Sequence, residues 1–121
     1  MDNKIDREDT DSFRAEFYFA AAKMLANNEA HGFNEAGPGS NAGEKLALIH
    51  SEVSEALEAI RSHNPPSEKI PPFSSLEDEL ADVIIRTMVF AEARGLDLAG
   101  AVIAKHNFNC DRPFKHGGKA F

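Results

Sequence analysis

With 121 residues and a formal net charge of -7, the chain fits one domain, residues 1–121, with a single modest core. It is too acidic for a nucleic-acid groove or an anionic membrane surface, both of which need clustered Lys and Arg. Its lone cysteine, Cys110, excludes an internal disulfide and a thiolate-rich zinc site. That cysteine usage, a polar start without the apolar run of a signal peptide, and no stretch near the ~20 apolar residues of a membrane span together predict a soluble cytoplasmic protein.

The first helix is expected over about Ser12 to Asn28, where Phe13, Phe17, Ala20, Ala21 and Met24 recur at helical spacing and Asp11 or Ser12 can cap. A loop follows from Glu29 to Gly43, rich in Gly, Pro, Ser and Asn, and long enough to suspect a functional segment; Phe33 within it is a candidate for stacking on a base. The end of this loop is not a phosphate-binding P-loop, because its glycines are misspaced and Glu44 stands where that motif needs Lys.

The second helix is expected over about Glu44 to Ser62, burying a stripe of Leu46, Ile49, Val53, Ala56, Leu57 and Ile60. Four prolines between Pro65 and Pro72 bar helix until Ser74 or Ser75, where Ser74 and Glu77 form a capping box for a third helix, about Leu76 to Arg94. That helix carries Leu76, Leu80, Val83, Thr87, Phe90 and Ala91 on one side and Ile85 and Val89 on another. A helix apolar on two faces is central in its bundle or shared with another subunit, which predicts an oligomer. Gly95 caps it, Asp97 starts a fourth helix with Leu98, Ala101 and Val102 as its buried turn, and Pro113 closes that helix. Four helical patterns without strand alternation make the expected fold class all-α.

Two acidic pairs stand out against this frame: Glu52 with Glu55, and Glu79 with Asp82. At ~100° per residue, positions three apart point to one side of a helix, one turn above the other. Leu48 and Ala59 flank the first pair, so it faces protein rather than bulk water. If the two faces pack together, four carboxylates meet, and like charges ~4 Å apart repel by about 4 kcal/mol per pair at an effective dielectric near 20. A cation must then sit among them. Oxygen-only ligands suit hard Mg²⁺, with Mn²⁺ a possible substitute, and Mg²⁺ is commonly completed by substrate phosphates. Arg86, one turn after Asp82, reads as its ion-pair partner, and His50 as a packed histidine. Lys105, Asn109 and Arg112 form a basic and polar row that shares one side if the fourth helix reaches Arg112, suited to phosphate and sugar. Lys45 is a further candidate substrate-binding cation.

The spacing Glu52-x-x-Glu55, 23 residues, Glu79-x-x-Asp82 resembles the ExxE…ExxD signature of the MazG-like all-α nucleoside triphosphate pyrophosphohydrolases. The run from Glu44 to Arg61 resembles the body of that motif, and Lys105, Asn109 and Arg112 match its later K-x-x-x-N-x-x-R element. The resemblance covers Asn41 to Lys119 well and the first helix loosely. It implies a four-helix-bundle-like domain assembled as a homodimer or homotetramer, with Mg²⁺ at Glu52, Glu55, Glu79 and Asp82. It also implies hydrolysis of a nucleoside or deoxynucleoside triphosphate to the monophosphate and pyrophosphate, as nucleotide-pool house-cleaning. Lys105, Asn109 and Arg112 would contact phosphates and sugar. Three alternatives stand beside it: a nucleotide-binding regulatory module without efficient turnover, a phosphoribosyl-ATP pyrophosphohydrolase-like activity, and an acidic helical oligomerisation domain.

Overall fold

A computed structural model describes residues 2–121, and among them no strand forms; the elements are helices joined by structured loops. In chain order they are α1 (Arg7–Ala30), α2 (Ala42–Arg61), α3 (Ser75–Ala93), α4 (Leu98–Cys110) and a short final turn, α5 (Lys115–Gly118). The fold class is all-α. The chain divides into two compact units, one combining the residues up to Ala20 with Asp97–Phe121, the other formed by Ala21–Leu96.

In the first unit, α1 begins earlier than its apolar periodicity suggests. Asp6, rather than Asp11 or Ser12, accepts the Asp9 N–H at 2.8 Å, so a charged first turn without apolar spacing is still helical. Asp97 caps α4 by accepting the Gly100 N–H at 2.9 Å, and the same carboxylate takes the Arg14 guanidinium at 3.0 Å and the Tyr18 hydroxyl. These donors hold Asp97 far below the ordinary carboxyl range, at about 2. The Asn107 amide brackets Ile5, accepting its N–H and donating to its C=O, both at 2.9 Å, and so pins the N-terminal segment to α4. The buried face of α4 is Ala99, Gly100 and Ile103, not the expected Leu98, Ala101 and Val102. A Cβ at position 100 would run into the Arg14 guanidinium and the Asp97 carboxylate, so a larger residue there would have to displace them.

In the second unit, α2 and α3 form an antiparallel hairpin, its sense fixed by pairings between Glu52 and Arg86 at one level and Asn64 and Leu76 at another. Asn41 caps α2 through the Glu44 N–H, and the Ser74/Glu77 capping box opens α3 as the sequence predicts. His63 and Asn64 leave α2 with positive φ of 62° and 47°. Asn64 then accepts the Leu76 N–H at 2.8 Å, so the turn is tied to the start of the next helix.

The interior of this unit differs from the expected one. Val89 is the most buried large side chain, at 1 % exposure, with Met88, Ala91, Ala56, Ala59 and Ala21 around it in rank. By contrast Leu46, Val53, Leu57 and Ile60 are 47, 52, 51 and 57 % exposed. The strongest apolar stripe of α2 is therefore not its core face. The hairpin closes instead through the side of α2 that carries Glu52 and the small Ala56 and Ala59, which let the helices approach closely.

Candidate functional site

The packing of α2 against α3 brings Glu52, Glu79 and Asp82 together: one carboxylate oxygen from each lies within 4.8 Å of the others, and all three side chains are half-buried. Glu79 and Asp82 share a face because they are three apart on α3, and α2 presents Glu52 to that face. Glu55, the fourth expected member, is exposed on α2 and outside this group.

Crowding and partial burial leave a clear electrostatic mark. Burial pushes the Glu79 carboxyl above its ordinary range, and the neighbouring charges of Asp78, Glu52 and Asp82 push it further. Asp82 is raised in the same way, by burial first and then by Glu52 and Asp78, while Lys69 and Arg86 pull it back. The Arg86 guanidinium does not take Asp82 as its hydrogen-bonded partner. Its Nε donates to Glu52 Oε1 at 2.9 Å, across the hairpin. The sequence pairs Arg86 with Asp82 because i,i+4 neighbours are the pairs visible along one helix, whereas Glu52 comes to Arg86 from the other helix.

Lys69 reaches this region from the loop between α2 and α3. Ser67, buried, accepts the N–H groups of Lys69 and Ile70 at 3.2 and 3.1 Å and donates its hydroxyl to Asp78 at 2.6 Å. The loop is thereby anchored to the first turn of α3. Nothing in its proline-rich composition marked Lys69 as part of a site.

A cavity of about 390 Å³ opens beside the carboxylates, a volume in the range of small-molecule sites. Glu52, Asp82, Arg86 and Lys69 contribute to its wall, with Leu48, Ile85, Val89 and Phe90 as an apolar lining. The remaining wall comes from Asn28, Phe33, Glu35 and Lys45. Glu35 is 7 % exposed; Asn28 donates to its Oε1 at 2.9 Å and Lys45 approaches its Oε2 at 3.5 Å. The loop that carries Glu35 is tied down by Ser40, whose hydroxyl donates to the Glu35 C=O at 2.8 Å and accepts from Arg94 at 3.3 Å. Lys45, proposed from the sequence, thus lines the cavity, while Asn28 and Glu35 had no sequence signal beyond lying at a helix end and in a long loop.

Lys105, Asn109 and Arg112 belong to the other compact unit. Helix α4 ends at Cys110, with Asp111 as its cap, so Arg112 lies past the last helical residue and does not share a helix face with Lys105 and Asn109. Lys105 stands 4.9 Å from the Phe108 ring centroid, a cation–π contact on the surface of α4.

Three half-buried carboxylates with oxygen donors only, held close with Arg86 and Lys69 as the nearby cations, form a set that a hard divalent ion fits. No helix among the described residues is long and apolar enough to cross a membrane. No family model, curated protein or solved structure matches the chain.

Proposed function

We propose that this chain is a Mg²⁺-dependent nucleoside triphosphate pyrophosphohydrolase of the MazG-like kind, cleaving a nucleoside or deoxynucleoside triphosphate into monophosphate and pyrophosphate. The observation that carries the reading is the meeting of Glu52, Glu79 and Asp82 beside a cavity whose wall includes Glu52 and Asp82 together with Arg86, Lys69 and Lys45. Carboxylates able to hold a divalent ion and cations able to hold phosphate are what a metal–triphosphate complex requires. The ExxE…ExxD spacing supports the family assignment.

Glu52, Glu79 and Asp82 would hold the metal, which would supply charge neutralisation of the phosphates and a more acidic bound water. The chain's own part is electrostatic: Arg86 fixes Glu52 in place, and Lys69 stands ready for negative charge on the leaving pyrophosphate. By the resemblance, Lys105, Asn109 and Arg112 would contact phosphates and sugar from a neighbouring subunit.

The assembly proposed is a homo-oligomer, a homodimer at the least. Leu46, Val53, Leu57 and Ile60 recur at spacings of three, four and seven along one side of α2, and all four are exposed. Two copies of the α2–α3 hairpin joined along this stripe would make a four-helix bundle.

The test is a panel of ribo- and deoxynucleoside triphosphates with Mg²⁺ or Mn²⁺, read by pyrophosphate release. Turnover that is abolished in Glu79→Gln, with helicity unchanged, is the expected result; a silent panel ends the enzymatic reading. The position of Glu55 outside the carboxylate group favours a second reading, a nucleotide-binding module without efficient chemistry. That module would be stabilised by nucleotide with Mg²⁺ while releasing no pyrophosphate.

A further inference from the structure

The cavity wall formed by Asn28, Phe33, Glu35 and Lys45 has a polarity of its own. The geometry points to a nucleobase subsite there that selects bases bearing an exocyclic amino group, as cytosine, adenine and guanine do, over those bearing only carbonyl oxygens, such as uracil and hypoxanthine. This rests on the proposed triphosphate reading, which draws the phosphates to the carboxylates and cations of the other wall.

The argument starts from donor and acceptor capacity. A carboxylate only accepts, so the Asn28–Glu35 bond fixes the amide: Nδ2 faces Glu35, and Oδ1 is left as an acceptor. Glu35 receives one donor on each oxygen, Asn28 on Oε1 and Lys45 on Oε2, and each oxygen keeps a further lone pair. The cluster therefore keeps free lone pairs on the Glu35 carboxylate and on Asn28 Oδ1, together with the second Asn28 N–H and the Lys45 ammonium as donors, and the charged carboxylate is its strongest acceptor. An amino group satisfies those acceptors, and an adjoining ring nitrogen or carbonyl of the same base can take the ammonium. A base with a carbonyl in place of the amino group sets oxygen against the carboxylate, and one that lacks the group offers its ring N–H alone, one donor fewer for the same acceptors.

Phe33 supplies the other half of such a site. It is 60 % exposed, lines the cavity, and has the Lys45 ammonium 6.0 Å from its ring centroid. A ring presented in this way beside polar groups stacks on any base, so it adds affinity without discrimination.

The experiment compares dCTP with dUTP and dGTP with dITP, two pairs that differ at an amino position. kcat/KM is measured on the wild-type protein with Mg²⁺, and Kd by calorimetry on Asp82→Asn, which is expected to be inactive. The amino-bearing member of each pair is expected to be favoured by about tenfold or more, the effect of one hydrogen bond to a charged or desolvated acceptor. Glu35→Gln, which replaces an acceptor by a donor, and Asn28→Ala, which leaves the Glu35–Lys45 pair in place, should each bring the ratio towards one. Phe33→Leu should weaken all four nucleotides alike and leave the ratios unchanged. Equal preference within both pairs, reversed preference, ratios untouched in both Glu35→Gln and Asn28→Ala, or no binding of any of the four would overturn the inference. If all four bind with the expected ratios but release no pyrophosphate, the base subsite stands and the hydrolytic reading falls.

Discussion

Replacing Asp82 by Asn separates a metal-holding cluster from an acidic surface with opposite signs in the two ionic conditions. With carboxylate oxygens 4.8 Å apart at most, each like-charged pair among Glu52, Glu79 and Asp82 repels by roughly 3.5 kcal/mol or more at an effective dielectric near 20. Asp82 takes part in two of these pairs, and Lys69 and Arg86 offset them. Because the groups are only half-buried, solvent and salt screen most of this, and a net gain of about 1 kcal/mol is expected for Asp82→Asn without divalent ions. In a chain of this size that raises Tm by roughly 3–6 °C. With Mg²⁺ the order reverses. Ten millimolar Mg²⁺ acting on a site with Kd of order 1 mM stabilises the wild-type protein by about 1.4 kcal/mol, and the variant, lacking one ligand, by much less. The assay is thermal unfolding followed by circular dichroism, with EDTA and then with Mg²⁺. A variant less stable than wild type in EDTA, or one that gains as much from Mg²⁺ as wild type does, would refute the reasoning.

Three further outcomes follow from individual contacts. Arg86→Ala leaves Glu52 without its cross-helix partner beside two other carboxylates, and is expected to destabilise the protein by about 1 kcal/mol in EDTA, read by urea denaturation. The Asp97 carboxyl is held at about 2, below its unfolded value of 3.8, so it binds fewer protons folded than unfolded across that interval. Its stabilisation is complete above pH 3.8 and is lost as pH falls through about 2; in an acid titration of Tm, Asp97→Asn should start lower and lose less over that window. Val53→Glu with Leu57→Glu places charges on the exposed stripe of α2. Sedimentation equilibrium should then show a shift to monomer, whereas an unchanged mass for the double variant would remove this stripe as the subunit interface.

Much of the architecture could be read from local chemistry. Ser74 and Asp97 start α3 and α4 because a short polar side chain satisfies an amide of the first turn, an interaction spanning three residues, and Asn41 does the same for α2 ahead of its expected start at Glu44. The acidic pair on α3 and the lone acidic member of α2 that joins it were legible for a related reason, since helical periodicity decides which side chains share a face. What periodicity does not contain is the identity of the opposing surface. Leu46, Val53, Leu57 and Ile60, the large members of the strongest apolar pattern in α2, are exposed, because the hairpin closes through Ala56, Ala59 and Glu52.

The sequence by itself therefore determined the all-α class, the starts of α3 and α4 and which carboxylates could point together, all of which depend on residues within a turn or two. Tertiary structure alone decided that Glu52, Glu79 and Asp82 meet while Glu55 stays outside, that Arg86 serves Glu52, and that Asn28, Glu35 and Lys45 line one cavity with the acidic group. These pairings join residues far apart in the chain. They exist only where two helices choose which faces to bury, a choice made by close packing and desolvation rather than by local propensity.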